Sequence, residues 1–365
     1  MNTLYVVSRL LKGDGPVNQA LNLALGLRRL KVNMIVVTLF PEDPSKPSIG
    51  HYRDNGVTVI ELNRKPWQMK EIVDDLRILI KQYNINIFQT YSLFPDMAGY
   101  FLRKEVNVIT IQRSEFPFLW ERRGYIPRII AGYVDKFIAS KENVVACSQS
   151  LGEIIRTKYK INCSYIRNGV DIDIYKPICK DEKLRLRKQL SIPIDKKIFI
   201  VVGSLIGRKN VRYIIDCVLK LQNSQFLFLI LGTGQQKDEL EALCENYENI
   251  RFLGQQKTPL YYYQCADFYV SASLTEGFPN TVLESLACGV PVLLSDIPQH
   301  REFFEYGNVG ALFSLSDKRS LEDVLLKCQQ WNYDDYSARC LKVAINELSK
   351  YKMAEHYLEY YRKLL

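Results

Sequence analysis

Two carboxylates, Glu276 and Glu284, stand eight positions apart around the turn Gly277-Phe278-Pro279-Asn280. Proline cannot continue a helix from its interior, so the Gly-Phe-Pro stretch punctuates the chain. Asn280 is a type that caps helices, and Thr281–Ala287 has helical composition. A helix is therefore expected to start near Asn280 and to point unpaired amide groups at the loop before it, an arrangement that binds phosphate. Glu276 just ahead of that start and Glu284 in the second turn can accept hydrogen bonds from hydroxyls on either side of a bound diphosphate. A sugar on one side and a ribose on the other suit that geometry. Two carboxylates at this spacing alone would be surface residues. The turn, and the strand start Cys288-Gly289-Val290-Pro291-Val292 that follows, turn the reading toward a ligand.

A second chemical element is Gly203-Ser204-Leu205-Ile206-Gly207-Arg208-Lys209-Asn210, placed after the apolar run Lys197–Val202 and before a helical period. Two adjacent cations at a strand-to-helix loop can hold a leaving diphosphate. As purely solvated residues they would oppose the dipole of the helix they precede. Gly232-Thr233-Gly234 follows the next apolar run. At the start of the chain Lys12-Gly13-Asp14-Gly15-Pro16 links a strand to a helix. There Gly13 and Gly15 allow the backbone to approach a ligand, and Pro16 suits a first helical turn.

The spaced pattern from Glu276 through Glu284 to Val292, with the Gly203–Asn210 loop, resembles the signature of retaining glycosyltransferases of family 4, which have the GT-B fold. The resemblance implies that Glu276 contacts the donor sugar, that the helix start at Phe278, Pro279, Asn280 and Thr281 binds the diphosphate, and that Glu284 binds the ribose. Lys209 matches the family's lysine. Ser204 stands where the family commonly has an arginine, and Arg208 is the candidate replacement. Arg251-Phe252-Leu253-Gly254 resembles the segment that meets the base, so Phe252 joins the donor residues. Asn168-Gly169-Val170-Asp171 resembles a loop near the end of the first domain, and the Gly13–Gly15 loop falls over the donor phosphates and acceptor. Many members carry a histidine after the strand equivalent to Val106–Ile111. This chain has Gln112-Arg113-Ser114 there, so either Gln112 or Arg113 is the candidate contact to sugar or acceptor. Its three histidines, His51, His300 and His356, lie elsewhere and are read as structural or surface residues. No nucleophile is implied. In a front-face substitution the donor's own phosphate oxygen takes the acceptor proton, and the protein supplies positioning and charge stabilisation. Asp171-Ile172-Asp173 matches a metal motif of a different glycosyltransferase fold, but short matches of this kind are common by chance. No metal and no cofactor are expected, with a nucleotide sugar, by family habit linked to UDP, as donor substrate.

Positioning these residues requires strands that end at them. Apolar runs at Leu4–Ser8, Met34–Leu39, Val57–Leu62, Ile85–Tyr91, Val106–Ile111 and Val144–Cys147 alternate with helical periods at Pro16–Leu30, Ile72–Tyr83 and Ser148–Tyr159. The pattern restarts with strands at Lys197–Val202, Gln225–Leu231, Asp267–Val270 and Val290–Leu294. Alternation of this kind implies βαβ units and parallel sheets. The expected architecture is α/β, with two Rossmann-like domains facing across a cleft and ligands outside the carboxyl ends of the strands. The domains are 1–175, an acceptor domain, and 197–350, a donor domain. They are joined by a linker at 176–196 with Pro177, Pro193 and a charge-rich helix-like segment at Asp181–Gln189, and the aromatic segment 351–365 packs back on the first domain.

The 365 residues are 47% hydrophobic, enough for two cores. Nine scattered cysteines with no CxxC argue against a disulfide framework and a structural zinc site. No signal peptide and no apolar run of membrane-spanning length is evident, so a cytoplasmic protein is expected. The net charge of +9 resides entirely in residues 1–180, with 26 Lys and Arg against 17 Asp and Glu, while 181–365 hold 23 of each. Residues 113–136 mix Phe116, Phe118, Trp120 and Tyr125 with Arg113, Arg122, Arg123 and Arg128. This suits peripheral contact with an anionic inner-membrane face and a glycan or lipid-linked acceptor, although an ordinary helix with a packed aromatic side has the same composition. By resemblance the setting is capsule, cell-wall or lipopolysaccharide synthesis. No nucleic-acid motif is present. A nucleotide-sugar epimerase of the same architecture is weakened by the shortage of histidine, and a non-enzymatic sugar-binding protein by the absence of an export signal.

Overall fold

The computed structural model describes residues 1–116, 125–317 and 319–365, with residues 125–128 described in backbone only. The chain forms two compact units, Met1–Gly169 with Lys350–Leu365, and Val170–Ser349.

The first unit contains a seven-stranded parallel sheet of β1 (Asn2–Val7), β2 (Asn33–Thr38), β3 (Val59–Glu61), β4 (Ile87–Tyr91), β5 (Asn107–Gln112), β6 (Asn143–Ala146) and β7 (Cys163–Tyr165) in the order β3-β2-β1-β4-β5-β6-β7. Buried on both faces, the strands are near-continuous apolar runs. The two-residue period then sorts them: Leu4 and Val6 join one core cluster, Tyr5 and Val7 the other. The order reverses between β1 and β4. The terminal helix Lys350–Leu364 packs on the helix Gly15–Arg29. The contact is close because Gly26 has no side chain: a Cβ there would lie 2.5 Å from the Lys350 carbonyl oxygen.

The second unit holds β8 (Lys197–Val202), β9 (Phe226–Leu231), β10 (Ile250–Gly254), β11 (Phe268–Ser271), β12 (Val292–Ser295) and β13 (Gly310–Phe313), all parallel, in the order β10-β9-β8-β11-β12-β13. Its core is phenylalanine-rich, with Phe199 stacked on Phe228 at 4.7 Å. Here the reversal falls between β8 and β11.

The alternation read from the sequence is present, displaced by one or two residues at most ends. β7, β10 and β13 are short strands outside the runs read as strands. Over 176–196, the charge-rich helical segment expected within the linker at Asp181–Gln189 is the helix Lys180–Gln189, and it belongs to the second unit. Its charged residues are not all solvated. Arg187 is buried and donates to the Cys265 carbonyl and to Asp267 Oδ2 at 2.9 Å, while Lys183 Nζ reaches Asp267 Oδ1 at 2.9 Å. These bonds fasten the segment to the strand edge at Phe268. Phe118, Trp120, Arg122 and Arg123 lie outside the described residues, as do the side chains of Tyr125 and Arg128.

Candidate active site

The strand-order reversal at β8 and β11 opens a crevice at the carboxyl ends of those strands, the usual ligand position in a doubly wound sheet. Lys209, Gly203, Ser271 and Ser273 line it. β8 delivers the loop Gly203–Asn210. The loop is held from behind by its neighbours: Leu205 N donates to Thr233 O at 2.9 Å and Gln236 N to Leu205 O at 3.0 Å. Gly232 is required by this contact, since a Cβ there would sit 1.8 Å from the Gly203 carbonyl oxygen. The Gly-x-Gly of the sequence is thus the back wall of the cation loop. A single 3₁₀ turn, Gly207–Lys209, then presents Arg208 and Lys209.

β11 delivers Glu276. Lys209 Nζ donates to its Oε1 at 2.5 Å, Ser273 Oγ to the same oxygen at 2.7 Å, and Arg208 Nη1 to Oε2 at 2.9 Å. Arg208 Nη1 also donates to the Thr275 carbonyl at 2.8 Å, and Leu274 N donates to the Arg208 carbonyl. The two loops are therefore one bonded body. Glu276 is buried, which by itself raises its pKa, but Lys209 and Arg208 outweigh burial and hold the carboxyl at about 2. It is a fixed anion beside two fixed cations that remain partly exposed.

The helix after the turn runs Asn280–Ala287, so Asn280 is its first residue rather than its cap. Pro279 precedes it in extended conformation and has no side chain able to cap, leaving the first amide groups to other partners. Phe278 stacks on Phe303 at 4.4 Å and anchors the turn. Thr281 Oγ1 pairs with the Tyr269 hydroxyl at 2.8 Å.

Glu284 lies in a different environment. Tyr263 Oη donates to Oε2 at 3.0 Å, and the Tyr175 hydroxyl also bonds the carboxylate. Burial dominates these bonds and pushes the carboxyl up to about 7. Tyr269 lies within electrostatic reach of both Glu276 and Glu284. Sequence reasoning missed Tyr175 and Tyr263. Neither had a local signal, since Tyr263 lies 21 residues from Glu284.

His300, set aside in the sequence reading, is fully buried behind Glu276. Its Nδ1 contacts the Ser295 carbonyl at 2.8 Å, and Ser295 Oγ donates to the Ser273 carbonyl at 2.7 Å. Burial lowers the imidazole to about 4, so it stays neutral. Phe252, on β10, packs its side chain against the core of the second unit. The Asp171–Asp173 loop is closed on itself, with Asp173 N donating to Asp171 Oδ1 at 3.0 Å. Among the described residues no group of three or more His, Cys, Asp or Glu is arranged to hold a metal.

The remaining candidates belong to the first unit and its own reversal point. Gly13 takes φ +88° in the loop after β1, and Gly15 opens the following helix. Gln112 ends β5 buried, its Oε1 without a partner, and Arg113 follows it.

Comparison with known proteins agrees with this arrangement. Residues 13–174 match the family described as Glycosyltransferase Family 4, and residues 182–331 the one described as Glycosyl transferases group 1. The chain is 25% identical over 254 residues to the alpha-monoglucosyldiacylglycerol synthase of Streptococcus pneumoniae, covering 64% of this chain and 57% of that protein. It is 24% identical over 319 residues to the O-antigen biosynthesis glycosyltransferase WclY of Escherichia coli, covering 83% and 85%. The crystal structure of Anabaena HepE in complex with UDP and glucose superposes over the full length of both chains with a TM-score of 0.80 at 16% identity.

Proposed function

Because the chain belongs to the GT-B glycosyltransferases of the family 4 type, we propose that it transfers a hexose, with retention of configuration, from a UDP-linked donor to a glycan or lipid-linked acceptor in bacterial surface-polysaccharide synthesis. The observation that carries the donor side is Glu276 clamped by Lys209, Arg208 and Ser273 at the β8/β11 reversal, next to a helix start. Diphosphate arriving there meets two cations and backbone amides, so negative charge on the leaving nucleotide is stabilised without reorganisation. Glu276 accepts hydroxyls of the sugar, and Glu284, held by Tyr263 and Tyr175, accepts those of the ribose. UDP as the nucleotide follows the ligand of the Anabaena neighbour. A lipid-linked or O-antigen-type acceptor follows the names of the pneumococcal and E. coli relatives. The cations do the work of a metal ion, so full activity in excess chelator is expected. Loss with chelator and recovery with manganese would refute metal independence.

The decisive experiment is calorimetric titration of a panel of nucleotide sugars into the wild type and Glu284→Ala. One donor should bind, and Glu284→Ala should weaken it by about 1 kcal/mol or more, the cost of a truncated hydrogen bond. Absence of nucleotide binding to the wild type would overturn the reading. The anomeric configuration of the product, read by NMR, tests retention.

A membrane-facing role for the first unit rests on the helix Tyr125–Ala139, which exposes Ile130 (60%), Tyr133 (70%) and Phe137 (53%) on one face, with Phe101 (54%) nearby on the preceding helix. Lys141 lies against Phe137 and Arg103 against Tyr100. Apolar residues rimmed by cations suit an anionic bilayer surface. No described helix is long and apolar enough to cross one. Failure of the protein to sediment with anionic liposomes at low salt would refute this contact.

A further inference from the structure

Resting on the transferase reading above, we propose that Arg113 is the receptor for an anionic group, phosphate or carboxylate, carried by the acceptor. Arg113 follows β5 at the carboxyl edge of the first unit's sheet, near the β1/β4 reversal where ligands of doubly wound sheets bind. Its guanidinium has five N–H donors and keeps its charge at any accessible pH. Among the described residues, it donates from Nη1 to Asn168 Oδ1 at 2.8 Å and lies within looser hydrogen-bonding reach of the Tyr5 hydroxyl, and it pairs with no carboxylate. Its Nε is sealed from solvent without a partner. The described groups it meets are neutral. The guanidinium sits over the Tyr91 ring at 5.6 Å, and Tyr5, Tyr357 and Cys147 lie within electrostatic reach. The Gln112 Oε1 is likewise buried without a partner.

A structural arginine in such a place is normally completed by a carboxylate, because burying an uncompensated charge is costly. Here the fork is held by an amide and an aromatic face, with donors left over. The same edge carries a second irregularity. Ser92, directly after Tyr91, adopts φ +80° and ψ 160°, a conformation that L residues rarely take, while Ser8, directly after β1, touches it at 3.1 Å between hydroxyls. A fork-shaped cation with spare donors matches a planar or tetrahedral oxyanion. An acceptor ending in a phosphate or bearing an acidic sugar supplies one.

The test uses the full-length chain with its other anion site silenced by the neutral triple substitution Glu276→Gln, Arg208→Gln, Lys209→Gln. Inorganic pyrophosphate and phenyl phosphate are titrated into this variant at low salt. One anion site should remain, and adding Arg113→Gln should weaken it by about tenfold or more. If Arg113→Gln does not fold, Arg113→Lys decides alone: a point charge replacing the fork should lose part of the affinity, whereas an unrelated site would be unaffected. No remaining anion site, or one indifferent to Arg113, overturns the proposal. So does an equal loss of UDP affinity when Arg113→Gln is placed in the otherwise wild-type chain, which would assign the anion to the donor. Nucleotide-sugar binding to the wild type and Glu284→Ala reports on the transferase reading independently of these results.

Discussion

The two units treat buried charge in opposite ways. In the second unit two buried carboxylates at the strand ends have cationic partners: Glu276 has Lys209 and Arg208, and Asp267 has Lys183 and Arg187. In both cases the cations overcome the burial that raises the carboxyl and leave its pKa lowered. In the first unit surface charges pair, but the buried groups Arg113, Asp96 and Glu142 make no ion pair among the described residues. Arg113 has no carboxylate among the described residues. Asp96 is buried and raised well above the ordinary range by burial and by nearby Asp135, and Glu142 is pushed up to about 7 by burial, against a hydrogen bond from Thr110 and the field of Arg103. Completed pairs make a rigid, pre-charged site suited to one kind of ligand. Uncompensated groups cost stability and wait for a counter-charge or a proton.

The largest expected effect lies in the completed pairs. Asp267→Ala strands Arg187 and Lys183 and removes the acceptor of the Ile198 amide. It should lower the stability of the second unit by about 3–5 kcal/mol, read from urea unfolding. A loss below about 1 kcal/mol would erase the contrast between the units. Next comes Lys209→Ala, which should reduce kcat/KM by about 10²–10³ as a removed charge-stabilising donor does. A change confined to KM would instead place Lys209 in ground-state binding only.

The first unit should show its deficit through pH. A carboxyl whose folded pKa is raised contributes fully below its unfolded pKa, and that contribution is lost as pH rises through the folded value. Stability should therefore fall between about pH 5 and pH 8, with the Glu142 part lost near pH 7. Glu142→Gln should flatten the profile and stabilise the protein at pH 8 by about 1–3 kcal/mol, and Asp96→Asn should flatten it further. Unchanged slopes in both variants would show that these acids are solvated. The smallest effect is expected at Glu284, where the second unit tolerates a raised acid. Tyr263→Phe should weaken nucleotide binding by about 1 kcal/mol. Affinity should rise as pH passes about 7 in the wild type and be flat in Glu284→Gln, because the ionised carboxylate is the stronger acceptor.

Much of the candidate site in the second unit was legible because its parts are local. Glu276, the Gly-Phe-Pro-Asn turn and Glu284 fall within nine residues, and turn and helix-start chemistry acts over that range. Arg208 and Lys209 were legible as a loop between a strand and a helix. That they would grip Glu276 was not, since 67 residues separate Lys209 from it. Tyr175 and Tyr263 carry no local sign of a carboxylate partner, and His300, read as a structural or surface residue, is buried. Arg187 and Lys183 read as part of a charged linker, because a charge run normally faces solvent and nothing local announces a buried aspartate partner.

By itself the sequence determined the alternation of apolar runs and amphipathic periods, and with it two parallel sheets, together with the family signature around Glu276 and Glu284. These depend on spacing within a few residues. Only the tertiary structure decided which charges meet. The strand orders β3-β2-β1-β4 and β10-β9-β8-β11 bring distant loops to one edge of each sheet. At one edge they pair Glu276 with two cations, and at the other they leave Arg113 among tyrosines. Ion pairing depends on distance and dielectric in the folded state, and neither is a property of the residues along the chain.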